Sequence, residues 1–241
     1  MTLSEALSRL KARGSKRNIA GMARYGITAA KAYGVSAPDI RAIAKEIGTD
    51  HALSLKLWKT GVLEARGVAS LIGDPVRVSE RQLEIWVKDF DSWAVCDACC
   101  GNLFDKTPFA YRKAFEWSKR DEEFVKRAGF TMMAELAVHD KNAPGSKFLT
   151  MLPAIKRGAT DPRNFVKKAV NWALRQIGKR NKSLNRSAVG AARDISRLDS
   201  SAARWVAADA LRELQSAAVR RRLNKKARRV RHHSDSKRKK G

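Results

Sequence analysis

Helix start and stop signals recur from one end of this chain to the other, and no run of alternating apolar and polar residues competes with them. Thr2 with Glu5 spells a capping box for a helix through Leu10, and Ser36 with Asp39 opens another that stops at Gly48. Thr49 is placed to cap Asp50–Lys59, which Gly61 ends, and Val62–Ile72 runs into Gly73-Asp74-Pro75. Ser79 with Gln82 starts Glu80–Asp89, followed at once by a helix carrying Trp93 and Asp97. Thr107-Pro108 puts proline at the first position of Phe109–Ser118, and Asp121 begins a long helix holding Arg127 and Glu135. After a break at Asn142–Gly145 come Lys147–Lys156, a helix from Asp161-Pro162 to Lys179 with Trp172 and Arg175, then Leu184–Arg197 and Ala202–Arg222.

About a dozen short helices on short loops, grouping in pairs every ~30–45 residues, predict an all-α fold of the α-solenoid kind. The repeats are HEAT-like by spacing only, since no strict sequence repeat exists, and a compact helical bundle fits the same pattern. In a solenoid the second helices of successive pairs line one concave face. Asp97, Arg127 and Trp172 each fall on such a helix, so residues distant in sequence can share a cleft.

Charge narrows the partner. Of 241 residues, 50 are Lys or Arg and 24 Asp or Glu, a formal +26 that points to a polyanion. Residues 220–241 hold twelve Lys/Arg against Asp235, a net +11, and subtracting this from 26 leaves +15 on residues 1–219. The expected organisation is one folded domain over 1–219 and a disordered basic tail over 220–241, an electrostatic anchor without chemistry of its own. No stretch approaches the roughly 20 apolar residues of a membrane span, so a cytoplasmic protein without membrane contact is expected. The three cysteines all lie within Cys96–Cys100. They cannot form a disulfide framework and lack the second ligand pair a zinc site needs, so they read as small buried thiols with no metal and no cofactor.

The stretch Asp91-Ser92-Trp93-Ala94-Val95-Cys96-Asp97-Ala98-Cys99-Cys100 puts an acid where a core residue should be. On a helix Trp93, Cys96, Asp97 and Cys100 share a stripe, with alanine, valine and cysteine as neighbours, so Asp97 reads as partly desolvated. A carboxylate so placed is met by a cation, either an arginine of the same chain or a cationic ligand. Residue types alone leave both open, and Trp93 and Trp172 could equally be core.

Four pieces in order resemble the DNA alkylation repair family of HEAT-like-repeat DNA glycosylases. They are Tyr25 with Tyr33-Gly34-Val35-Ser36-Ala37-Pro38-Asp39-Ile40-Arg41, the Asp91–Asp97 stretch, Lys126-Arg127-Ala128, and Lys167-Lys168-Ala169-Val170-Asn171-Trp172-Ala173-Leu174-Arg175. The resemblance implies a catalytic acid at Asp97, cleft tryptophans at Trp93 and Trp172, a cleft arginine at Arg127 and a DNA-contacting Tyr25, with Arg175 and Lys168 as further backbone-phosphate contacts. It implies a monomeric enzyme that excises positively charged N3- or N7-alkylated purines from duplex DNA, without turning the base into a pocket. The thiol-rich helix and the basic tail depart from the family's pattern, and neither removes a motif residue. A non-catalytic binder of distorted or branched DNA uses the same face. A HEAT-type protein scaffold has no need of +26.

Overall fold

The computed structural model describes residues 1–27 and 29–225. Among these every regular element is helical, and no helix is long and apolar enough to cross a membrane. The chain divides into two compact units, Met1–Lys113 and Ala114–Gly241.

The first unit holds α1 (Leu3–Ala12), α2 (Lys16–Met22) with a 3₁₀ turn Ala23–Tyr25, α3 (Ala37–Ile47), α4 (His51–Lys59), α5 (Leu63–Ile72), α6 (Glu80–Lys88) and α7 (Trp93–Asn102). The division falls within α8 (Ala110–Trp117). The second unit continues with α9 (Glu123–His139), α10 (Gly145–Leu149), α11 (Leu152–Gly158), α12 (Asn164–Gly178), α13 (Lys182–Ser196) and α14 (Ser201–Leu214). A further helical segment covers 217–225.

Local chemistry accounts for most boundaries. The Thr2/Glu5 capping box forms in full, and Ser36 and Ser79 accept from the amides of Asp39 and Gln82. Asp50, one residue past the expected Thr49, caps α4 by accepting from Leu53. Helix α2 has no counterpart in the sequence expectation; Ser15 caps it, and none of its residues is buried. The single helix expected at Lys147–Lys156 is two, because Pro153 lies in the first turn of α11 and cannot continue a preceding helix.

The last helix is also two. Leu214 ends α14, and the segment 217–225 buries Val219 and Leu223, four residues apart. This helical segment extends into the first residues of the expected tail, through 225, and residues 226–241 lie outside the described residues.

The first unit is built on aromatics. Trp58 and Trp86 stack at 4.0 Å between centroids with Phe90 and Phe104 around them, and Arg66 lies over Trp58. Trp117 is also fully buried, whereas Trp205 is 40% exposed and belongs to no core. The loop before α3 is pinned from below: fully buried Glu64 accepts from the amides of Tyr33, Gly34 and Val35. Gly34 has φ +78°, and a Cβ there would stand 2.2 Å from the Ser15 carbonyl oxygen, so only glycine fits.

Candidate functional site

Helix α7 has two faces. Val95, Cys96, Cys99 and Cys100 are buried, while Trp93, Ala94, Asp97 and Ala98 are half-exposed. The stripe expected to join Trp93, Cys96, Asp97 and Cys100 is therefore split, with the thiols turned into the core and the acid and indole toward the surface. Burial pushes the Cys99 and Cys100 thiols well above their ordinary pKa, aided by their neighbouring thiols, which makes them poor nucleophiles.

Trp93 is held by its edge. Its Nε1 donates to the Tyr25 carbonyl at 2.8 Å, tying α7 to the 3₁₀ turn that carries Tyr25, whose own side chain is 72% exposed. Trp93, Asp97 and Tyr25 are thus brought to one region of the first unit. Ala94 and Ala98 also line an apolar cavity of about 230 Å³ with Ile40, Leu63, Gly67 and Leu71. Asp97 stands one helical turn from Trp93 on a helix whose flank is apolar and whose accessible face is narrow. Such an environment strengthens the field of a carboxylate on a nearby cation.

In the second unit Lys168, Trp172 and Arg175 lie at i, i+4 and i+7 of α12, one face of the helix. Lys168 is exposed and Trp172 half-buried. Arg175 is engaged within the chain: its Nη1 meets Glu213 at 2.6 Å and Asp209 at 3.5 Å, both on α14. The resemblance implies a phosphate contact at Arg175; in this structure its guanidinium is held by these two carboxylates. Arg127, expected to grip a phosphate, is buried at 6% exposure and donates to the Phe165 carbonyl at 2.6 Å. This bond ties α9 to the first turn of α12. The sequence reading missed both partners because each lies 38 residues away, beyond any local pattern.

It also left unassigned the residues of a basic cavity in this unit, of about 380 Å³, at the ends of α9 and α12 and the start of α13. Cations just past the ends of α9 and α12, Lys141 and Lys179-Arg180, with Arg222 in the last helical segment, were the signal available.

The architecture is shared with a solved structure described as "a new family of proteins related to the HEAT-like repeat DNA glycosylases with affinity for branched DNA structures". The two superpose with a TM-score of 0.77 over 92% of this chain and 96% of that one, at 22% identity. The fold is an α-solenoid of HEAT-like helical repeats. The family of DNA alkylation repair enzymes matches residues 6–214, and the chain belongs to it. No curated protein matches it by sequence.

Proposed function

We propose that this chain is a DNA glycosylase that excises cationic N3- or N7-alkylated purines from duplex DNA. The observation that carries the reading is Asp97, half-exposed on α7 one turn from Trp93, in a chain with a formal charge of +26. An alkylated purine of this kind already bears a positive charge. When its glycosidic bond breaks, the bonding pair passes to the purine and neutralises it, and the sugar is left as an oxocarbenium-like cation. Little acid catalysis of the leaving group is needed. Asp97 stabilises the developing cation and orients a water, which adds to the anomeric carbon and passes its proton to the Asp97 carboxylate and on to solvent. Trp93 and Trp172 offer ring faces to the sugar or backbone, each worth roughly 0.5–2 kcal/mol against a cation. Lys168 and Tyr25 supply exposed backbone contacts.

A second reading has its own support: Arg127 and Arg175 are engaged within the chain, and the solved neighbour is described by affinity for branched DNA. In that reading the same faces bind distorted or branched DNA without cleavage. Incubation with a duplex containing N7-methylguanine, scored for free base, separates the two. The glycosylase reading expects base release by the wild type and a loss of at least about 100-fold in Asp97→Asn, with duplex affinity retained. Release at the wild-type rate from the variant removes Asp97 from the chemistry. No release from the wild type, together with preferential binding of a four-way junction over a duplex, selects the second reading.

A further inference from the structure

We infer that the basic cavity of the second unit is a seat for a phosphate group of a DNA strand. This deepens the DNA-binding reading above and rests on it. Its walls include Lys141, Gln176, Lys179, Arg180, Asn181 and Arg222, and no carboxylate lines it among the described residues. Its ~380 Å³ is at the lower end of small-ligand sites, room for a phosphate with part of its sugar.

The cations are arranged rather than scattered. Arg180 is fixed over the Phe148 ring at 3.9 Å, and its guanidinium donates to the carbonyls of Ala137 and Ala143. Lys141 Nζ donates to the Val138 carbonyl. Capping the C-terminal carbonyls of α9 explains these two, but not the other two. Lys179 is shared with Glu213 at 2.6 Å, and Glu213 is itself divided between Lys179 and Arg175. Arg222 is exposed and makes no hydrogen bond or ion pair with the described residues. Asn181, on the cavity wall, is the N-cap of fifteen-residue α13, so the positive end of that helix adjoins the same space. Cations and helix end therefore act with one sign.

Position connects the cavity to α12. Gln176 and Lys179 follow Trp172 by four and seven residues, so they continue the face that carries Lys168 and Trp172, about 10 Å further along the helix axis. A strand packed on Trp172 and followed along α12 brings a phosphate to this cavity within one or two nucleotides. Arg222, from the segment expected to be an unstructured anchor, completes the seat.

The test uses the full chain and two single-charge variants, Arg222→Gln and Arg221→Gln; both residues are exposed, and only the first lines the cavity. Affinity for an undamaged duplex is measured by anisotropy across a salt series. Arg222→Gln should weaken binding roughly tenfold and lower the slope of log affinity against log salt by about 1, with less than about a twofold change in Arg221→Gln. Equal effects in the two variants reduce the site to general surface charge and overturn the inference. Inorganic phosphate, compared with chloride at matched ionic strength, should raise the melting temperature of the wild type and Arg221→Gln more than that of Arg222→Gln. An equal rise in all three overturns the seat. A selective rise without loss of duplex affinity in Arg222→Gln makes it a site for a free anion and overturns the strand assignment. Binding is read on undamaged DNA, so absence of base release bears on Asp97 and leaves this comparison intact.

Discussion

The two units solve the same packing problem with different materials. In the first, side-chain bonds between successive repeats recur at separations of 31 or 32 residues: Tyr33 to Glu64, Trp58 to Asp89, Asn102 to Ser70 and Arg112 to Glu80. In the second they recur at 38: Arg127 to Phe165, Lys156 to Asp194, Asn171 to Asp209 and Arg175 to Glu213. Other bonds fall to either side of these spacings, such as Lys113–Glu84 at 29, Arg9–Glu46 at 37 and Lys179–Glu213 at 34. Helix length explains the step, since α3 to α7 have 9 to 11 residues while α12 to α14 have 14 or 15. Short helices bury little area each, and the first unit compensates with stacked indoles. Long helices bury enough through small residues, and the second unit brings them close at glycine. A Cβ on Gly129 would meet the Ser118 nitrogen at 2.3 Å, and one on Gly178 would meet Leu214 at 2.6 Å.

The comparison is broken most forcefully at its aromatic end. Trp86→Ala should cost about 3–5 kcal/mol, with hydrogen exchange accelerated first in α4 to α6. If α12 to α14 lose protection to the same extent, the two materials do not support separate stabilities. Gly129→Ala is the matching change in the second unit. Its new methyl group faces backbone that cannot step aside, so urea unfolding should register a loss of about 3 kcal/mol, with α9 exchanging first. A loss under about 1 kcal/mol would mean that close approach is not what holds this unit.

Smaller effects sharpen the picture. Asp209→Ala takes the acceptor from Asn171, which is 2% exposed, and one of two from Arg175, for a loss of roughly 1–2 kcal/mol. A double-mutant cycle with Asn171→Ala should recover part of it as coupling. The smallest effect lies on the first unit's surface. Hydrogen bonds from Arg112 and Lys113 hold the Glu80 carboxyl down at about 2, against an ordinary 4.5. A depressed carboxyl stabilises the fold above its unfolded pKa and loses that contribution as pH falls through the folded one. The melting temperature of the wild type should therefore drop more steeply between pH 4.5 and 2 than that of Glu80→Gln. Parallel curves would show that this surface pair contributes nothing measurable.

What could be read from the sequence was local. Thr2/Glu5, Ser36 and Ser79 announce their helices because a cap is settled within three residues. Helix α2 was missed because it buries nothing, so no apolar periodicity marks it. The accessible pairing of Trp93 with Asp97 was legible from helical spacing, but the direction of the cysteines was not, because a helix of alanine, valine and cysteine has no strong polar side to orient it. Arg127 and Arg175 show the limit most clearly. An arginine in a basic chain reads as a phosphate ligand, and only the repeat spacing reveals the carbonyl or carboxylate that claims it.

Along the seam between α12 and α14 the constant offset has a consequence for insertions and deletions. Lys167 with Trp205, Asn171 with Asp209 and Arg175 with Glu213 form three rungs at one register, four residues apart on both helices. A residue added in the turn between Ser196 and Ser201 changes the number 38 and leaves every rung intact, because α14 can dock as before. A residue added inside α14 between Trp205 and Asp209 turns the remaining helix by about 100° and moves both later rungs off the seam. Length variation in this half of the chain should therefore collect in the turns, and a single-residue deletion within α14 should be less tolerated than a larger insertion after α13.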